Sequence, residues 1–415
     1  MNNVLLMSNR LQYWQKVKRM FGANLIGYWP FWETSGTVAQ DYSGNGRNGA
    51  YSGVTLGQTG IGDGKKSAYL DGSGNDYINI YSPELSAAFN PQELTLVLWG
   101  AAANDTVWTD STFRTLAMLQ TDSQNRAYIR VNNGFDFGYI ANNVTKSIDT
   151  GWYGTSFFQT AITASKSLDN FSAYLNGVPV KTAQTGLGLW AGVLNSGLTL
   201  LGASDKAGAR VWLGNECHAF LLNRAATASE IRKVFTLAWG DAKFLGVLGD
   251  SISAATRSWA SILDGQYNNA HLAVMNHAVA GQTIISNMDA QTVASASDNA
   301  DIIIIALGTN DDNAGDMTAL RAEYGENIAE LQASNPRATI YAMNVLPRWT
   351  NNTGATPVDK SNIRGAISAE CSARGITCWD TYTVPWITAA DTSDGVHPTA
   401  AGHAKIAAEV LARLP

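Results

Sequence analysis

Two hydrophobic patterns that cannot belong to one layered architecture share this 415-residue chain, and they meet between Trp239 and Lys243. Before the junction, short segments rich in Thr, Val, Tyr and Trp are separated by Gly, Asn, Asp and Ser clusters, which is how an all-β sandwich reads. "YINIY", "LTLVLW", "AYIRV", "FSAYLNG" and "LTLLGA" are the predicted strands, and "DYSGNGRNGAYSG" supplies turn residues that tolerate positive φ. Thr227 as N-cap with Glu230 three residues later forms a capping box, which predicts a short helix over "TASEIRKVFTLA". After the junction, apolar strands predicted at 244–248, 272–276, 301–307, 339–344 and 376–379 alternate with helical stretches. That alternation marks a parallel sheet wrapped by helices.

Composition narrows the function. Charged residues make up 15% of the chain, the formal net charge is −6 and no basic patch stands out, a balance that speaks against nonspecific nucleic-acid binding. The longest apolar runs, such as "DIIIIALG", fall far short of the roughly 20 residues a membrane-spanning helix needs. In "MNNVLLMSNRLQYWQKVKRMFGA" the basic residues follow the apolar start and no small-residue cleavage site comes after, so the segment does not read as a Sec signal. Leu11, Trp14, Val17 and Met20 or Phe21 fall at helical spacing. They predict an amphipathic helix within residues 1–23 that docks on its own chain, with an oligomer or virion partner as the alternative. Cys217, Cys371 and Cys378 form neither a disulfide framework nor a metal-ligand spacing. Cys371 and Cys378 are read as buried free thiols, with pairing in an oxidising compartment as the alternative.

The first half is recognisable from four stretches: "LIGYWPFWETSGTVAQDYSGNGRNGAYSG", "AYLDGSGNDYINI", "FSAYLNGVPV" and "HAFLLNRAATASEIRKVF". In that order they resemble the strands and turns of the laminin-G-like, concanavalin A-like jelly rolls, over residues 24–238. The resemblance implies a two-sheet jelly-roll sandwich acting as a carbohydrate-binding module, sometimes with structural calcium. A spacer or assembly role weighs equally, because one sandwich serves many functions. Nine of the thirteen tryptophans lie in this half, and exposed indoles make platforms for sugar rings. Trp29, Trp99 and Trp212 sit in strand-like alternation and are expected to pack inward, whereas Trp108, Trp152 and Trp190 lie beside turns and are the candidate glycan-binding residues. Asp41, Asn45 and Asp71 offer oxygen ligands for calcium, although turn residues of this kind more often cap their own backbone. No other cofactor or metal is expected.

In the second half, each of the first three strands runs into a polar sequence of small residues: "GDS" at 249–251, "NHAVAGQT" at 276–283 and "GTND" at 308–311. "DGVHP", 394–398, precedes the helical stretch "AAGHAKIAAEVLARL". Ligands in parallel sheets bind at the carboxyl ends of the strands, where these sequences fall. Singly they are weak signals. Together and in this order they resemble the four blocks of the SGNH hydrolases, the GDSL-like esterase and lipase superfamily, over residues 243–415. The resemblance implies an α/β/α three-layer domain with a five-stranded parallel, flavodoxin-like sheet.

The chemistry suits these residue types. A serine hydroxyl is a poor nucleophile until a base takes its proton, and His397, with Asp394 three residues upstream, is the candidate base for Ser251. Asp394 would hold the imidazole in the right tautomer. By resemblance, the oxyanion of the tetrahedral intermediate is met by the backbone N–H groups of Ser251 and Gly281 and by the side-chain amide of Asn310. Gly281 is expected to be glycine so that its amide can approach the reacting carbonyl closely. Asp250 is expected to brace the loops, and Ala278 stands where the family commonly has glycine. His218, His271, His277 and His403 read as packed or surface residues, with His403 pointing away from the site.

The favoured function is a serine esterase removing O-acetyl groups from a polysaccharide held by the sandwich. A lipase or acylhydrolase acting on lipids or small esters is the runner-up, although "RWTNNTGATP" at 348–357 is polar for a lid. A phage-tail or surface adhesin with a vestigial esterase site is the third reading, since jelly rolls of this style resemble segments of tail and virion proteins. The expected location is extracellular or virion-associated, with neither nucleic acid nor membrane insertion.

Overall fold

The computed structural model describes residues 11–239, 243–266, 272–296, 298–351, 353 and 357–414. The chain divides into two compact units, Met1–Asp241 and Ala242–Pro415.

The first unit is a sandwich of two eight-stranded antiparallel sheets. One runs in the order Val178–Pro179, Asn170–Leu175, Phe158–Ser165, Glu93–Ala102, Leu213–Leu222, Lys66–Asp71 and Thr55–Thr59, with Leu25–Trp29 also paired to Leu213–Leu222. The other runs Val144–Thr150, Phe135–Ala141, Asn125–Val131, Arg114–Asp122, Thr199–Leu201, Tyr77–Asn79, Gly49–Ser52 and Val38–Ala39. Trp29 and Trp212 are fully buried in one apolar cluster built from both sheets. Trp99 is equally buried on the opposite face of its strand, against Phe235, Trp239 and Tyr13.

Trp108, Trp152 and Trp190 are not a ligand surface. They are 1%, 6% and 4% exposed and belong to the same core cluster. The Trp108 ring meets Phe135, Trp152, Phe158 and Trp212 edge-on, and its indole N–H donates to the carbonyl of Gly154 at 2.9 Å. Trp190 packs on Phe89 and Tyr139 and donates to Thr121 Oγ1 at 3.0 Å. A position beside a turn lies where loops fold over the end of the core, and the large apolar area of an indole is best buried there once its N–H has a partner.

Asp41, Asn45 and Asp71 cap their own turns, the commoner use of such residues. Asp41 accepts the backbone N–H groups of Tyr28, Ser43 and Arg47, Asn45 donates to the carbonyl of Leu25, and Asp71 accepts the N–H of Ser73. Among the described residues no group of three or more His, Cys, Asp or Glu stands close enough to hold a metal ion.

The amphipathic segment forms a helix, Tyr13–Phe21, docked on its own chain. Its buried face is Tyr13, Val17 and Phe21: Val17 and Phe21 pack as expected, but Tyr13 takes the place expected for Trp14, which sits half-buried against Trp32 and Tyr42. The Tyr13 hydroxyl fixes this choice by accepting the Trp99 indole N–H at 2.9 Å. The helix Ala228–Ala238 opens with the expected capping box: Thr227 Oγ1 accepts the Glu230 N–H, and the Glu230 carboxylate accepts the Thr227 N–H.

The second unit holds a parallel sheet in the order Leu272–Asn276, Lys243–Gly249, Ile302–Ala306, Thr339–Met343 and Thr377–Trp379. Numbered along the chain, that is 2-1-3-4-5, the flavodoxin-like order. The central strand Ile302–Ala306 is buried throughout, as a strand covered by helices on both faces must be. Helices Trp259–Gln266, Ile284–Ser295, Met317–Ser334, Ser361–Ala373 and Ala400–Leu411 form the outer layers. The winding reverses between the first and third strands, so their carboxyl ends open a crevice. The three cysteines are free thiols.

Candidate active site

Strand Lys243–Gly249 ends on Asp250, whose carboxylate accepts the Ile252 N–H at 3.0 Å and so caps the helical turn Ser251–Ala254. That cap turns the chain at the end of the strand and presents Ser251 at the crevice. The peptide of Gly249 is gripped from both sides by Gln291, which accepts its N–H at 2.7 Å and donates to its carbonyl at 2.9 Å. Gln291 was not found by sequence reasoning, because a glutamine inside a helix gives no local signal of this contact. Asp250 is 1% exposed, and burial pushes its carboxyl up to about 6. Its bonding to backbone agrees with a bracing role.

The second loop follows strand Leu272–Asn276, where the Asn276 amide donates to the Ser253 carbonyl at 2.8 Å. Gly281 has φ +76, and a Cβ there would meet no protein atom within 4 Å. Its left-handed backbone, rather than clearance from the protein, is what calls for glycine. The third loop, 308–311, carries Asn310, whose amide donates to the Gln282 carbonyl at 3.0 Å and ties this loop to that of Gly281. A primary amide has two N–H groups, so one remains for a ligand. Asp311 secures the same junction by accepting the Ile284 N–H on both carboxylate oxygens at 3.1 Å.

The fourth loop closes on itself through a Thr392–Pro398 bridge and a bond from the Ser393 N–H to the His397 carbonyl at 2.8 Å. Asp394 Oδ1 accepts the N–H groups of Val396 and His397 at 2.9 and 2.8 Å, while Oδ2 accepts the His397 Nδ1–H at 2.7 Å. With Nδ1 protonated, Nε2 is free to accept, and the Ser251 hydroxyl lies 3.0 Å from it. The imidazole bond, followed by the two backbone bonds, holds the Asp394 carboxyl down to about 2. Asp394 and His397 are half-exposed, at 53% and 50%. Ser251 follows the first strand and Asn310 the third, so these two candidate residues flank the point where the winding reverses.

The other histidines are packed. His277 pairs with Asp298 at 2.6 Å, and His218 bonds Tyr28 and Asp63 in the first unit. His403 is 6% exposed, and burial, then the charge of His397, lowers it to about 4. His271 lies outside the described residues.

Residues 247–405 match the family model of the GDSL-like Lipase/Acylhydrolase family. The second unit is a domain of that ester-hydrolase class. No curated protein matches the chain. Among solved structures the chain is similar to the binding domain of Paraclostridial Mosquitocidal Protein 1, with 17% identity, a TM-score of 0.40, and 53% of this chain and 54% of that one covered. It is also similar to the receptor binding domain of botulinum neurotoxin type G, with 16% identity, a TM-score of 0.40 and 53% of each chain covered. A third similar structure is domain 4 of AbnA, a GH43 extracellular arabinanase from Geobacillus stearothermophilus, in complex with arabinotriose. There the identity is 17%, the TM-score 0.36, and 51% of this chain and 98% of that one are covered. The chain spans about half the length of the first two.

Proposed function

We propose that the second unit is a serine esterase in which Ser251 is the nucleophile, His397 the general base and then acid, and Asp394 the group that orients it. The observation that supports this most is the unbroken relay from Ser251 Oγ to His397 Nε2 and from His397 Nδ1 to Asp394 Oδ2. Ser251 attacks the ester carbonyl as His397 takes its proton, and the C=O electron pair moves onto oxygen. The N–H groups of Ser251 and Gly281 and the free N–H of Asn310 meet that oxyanion. Collapse breaks the bond to the alcohol, which leaves with the proton from His397. Water, deprotonated by His397, then attacks the acyl-serine, and release of the acid restores Ser251.

The substrate is an O-acetyl group on a polysaccharide. The half-exposed Asp394 and His397 suit a small acyl group on a polymer lying across the crevice. The sandwich serves as the glycan-binding module and raises the local concentration of polymer, through residues other than Trp108, Trp152 and Trp190. Such a substrate places the enzyme outside the cell that makes it, free or on a virion.

Hydrolysis of p-nitrophenyl acetate, butyrate and octanoate, with acetate release from acetylated xylan, tests this reading beside Ser251→Ala. Activity confined to acetate and abolished in the variant is the expected result. A preference for octanoate would move the substrate to lipids. Equal acetate release by wild type and Ser251→Ala would remove the assignment of Ser251 as nucleophile, and tight glycan binding without turnover would favour an adhesin.

A further inference from the structure

The loop that carries Asn310 is held by two cations, and both act on peptide carbonyls. Arg348 Nη1 donates to the Thr309 carbonyl at 3.0 Å, and the Lys360 ammonium donates to the Asp311 carbonyl. The two contacts flank Asn310 on either side. Lys360 is only 6% exposed, although a buried ammonium is among the more expensive groups a fold can hold. Apolar side chains would hold a loop at less cost, so the choice of charge here asks for a reason beyond packing.

Both cations stand at the neck of one segment. The Val358 N–H donates to the Arg348 carbonyl at 2.9 Å, and Trp349 bridges to Pro357. The residue after Arg348 reaches the opposite wall of the site, where the Trp349 N–H donates to the Gly395 carbonyl at 2.8 Å, inside the loop of Asp394 and His397. Gly395 has φ +91, and a Cβ there would come within 2.5 Å of the Trp349 carbonyl oxygen, so this contact is possible only with glycine. Consecutive residues of one segment thus grip the loop of Asn310 and the loop of His397.

We infer that Arg348 and Lys360 are positioning residues that fix Asn310 for the developing oxyanion, and that the Arg348–Trp349 step sets the spacing of that donor from the base. The inference rests on the esterase reading above. A cation on each flanking carbonyl removes the freedom of the intervening residue to rotate, and it does so before substrate arrives. Fixed donors of this kind act on the transition state, where charge appears, so the loss on removing them falls on kcat rather than KM.

The test uses the full-length protein and p-nitrophenyl acetate, with Arg348→Met, Lys360→Met, Arg348→Lys and Lys360→Arg, each alone and combined with Asn310→Ala. Each methionine variant is expected to lower kcat on the order of 10- to 100-fold with KM within about two-fold, as for a misplacement of about an ångström. Lys360→Arg and Arg348→Lys recover part of the loss. In the Asn310→Ala background the methionine substitutions cost nothing further, because their effect passes through the missing amide. A loss of the same size in both backgrounds, or a methionine variant with wild-type kcat, overturns the inference. If Lys360→Met does not fold, the Arg348 variants decide the matter alone. Ser251→Ala separates the two levels: an active Ser251→Ala removes the esterase reading itself, whatever Arg348 and Lys360 do.

Discussion

Glu216 lies in the strand Leu213–Leu222, in register with Ala68 on one side and Gly100 on the other, and is fully buried. Neither carboxyl oxygen has a hydrogen-bond partner in the protein, and burial raises its pKa well above the ordinary 4.5. The sandwich therefore folds with Glu216 protonated, while the unfolded chain releases that proton above pH 4.5. A raised pKa in the fold means stability present in full below the ordinary value and lost as the pH rises. Each pH unit above the ordinary value costs about 1.4 kcal/mol while the buried group stays neutral. Glu216→Met keeps the length of the side chain and removes both the proton and the unpaired oxygens. For a unit of this size, about 1.4 kcal/mol corresponds to a rise in Tm of roughly 3 to 6 °C. Nine of the thirteen tryptophans lie at or before Trp239, so intrinsic fluorescence follows the first unit. The Tm advantage of Glu216→Met over wild type is expected to be small at pH 5 and to widen steadily to pH 7. An advantage that does not change over that range would refute the reasoning.

Other outcomes follow from the site and the core. Asp394→Asn keeps an oxygen for the loop N–H groups but leaves His397 without its carboxylate, so kcat is expected to fall on the order of 10³- to 10⁴-fold with an unchanged melting curve. Asn310→Ala is expected to lower kcat by about 10²- to 10³-fold in the same ester assay. Asp250, at about 6 against an ordinary 3.8, favours the folded state below about pH 4 and gives up about 3 kcal/mol as the pH passes 6. In urea titrations at pH 4.5 and 7.5, Asp250→Asn should lose most of that difference, and an unaltered difference would count against it. Trp108→Ala is expected to destabilise the sandwich by about 3 to 5 kcal/mol, read by calorimetry, as the loss of a buried indole.

Legibility differed between the halves for physical reasons. Strands of the parallel sheet are buried on both faces, so runs such as "IIIIA" show themselves, and the predicted ends fall within about two residues of those observed. In the sandwich, Phe158–Ser165 is buried throughout yet half polar, because partners such as the Leu98 carbonyl for Thr160 make polar side chains acceptable inside. Apolar patterning therefore hides it. Val144–Thr150 is polar because one side of it is the sheet edge, and it is entered through Asn142 and Asn143 at φ 49 and 65, the conformation hairpin turns require. Within the site, Ser251, Asp394, His397 and Asn310 were legible because each sits in a short sequence with its own local geometry. Gln291, Arg348 and Lys360 were not. They act on backbone groups far away in sequence, and a backbone carbonyl looks alike under every residue type.

Ser251 and His397 stand 146 residues apart along the chain and 3.0 Å apart in space. During synthesis, at about 5 to 20 residues per second, that separation is a delay on the order of ten seconds or more. For all that time the emerging polypeptide has a serine and no base beside it. On the mechanism proposed above, hydrolysis cannot begin until the histidine loop has been made and has found its place beside the first strand. On that mechanism, incomplete chains, and chains cut anywhere between these two residues and parted, are expected to be inert toward esters. Turnover by that mechanism would be a proofread signal of finished folding, withheld from every earlier stage by the separation of these two residues along the chain.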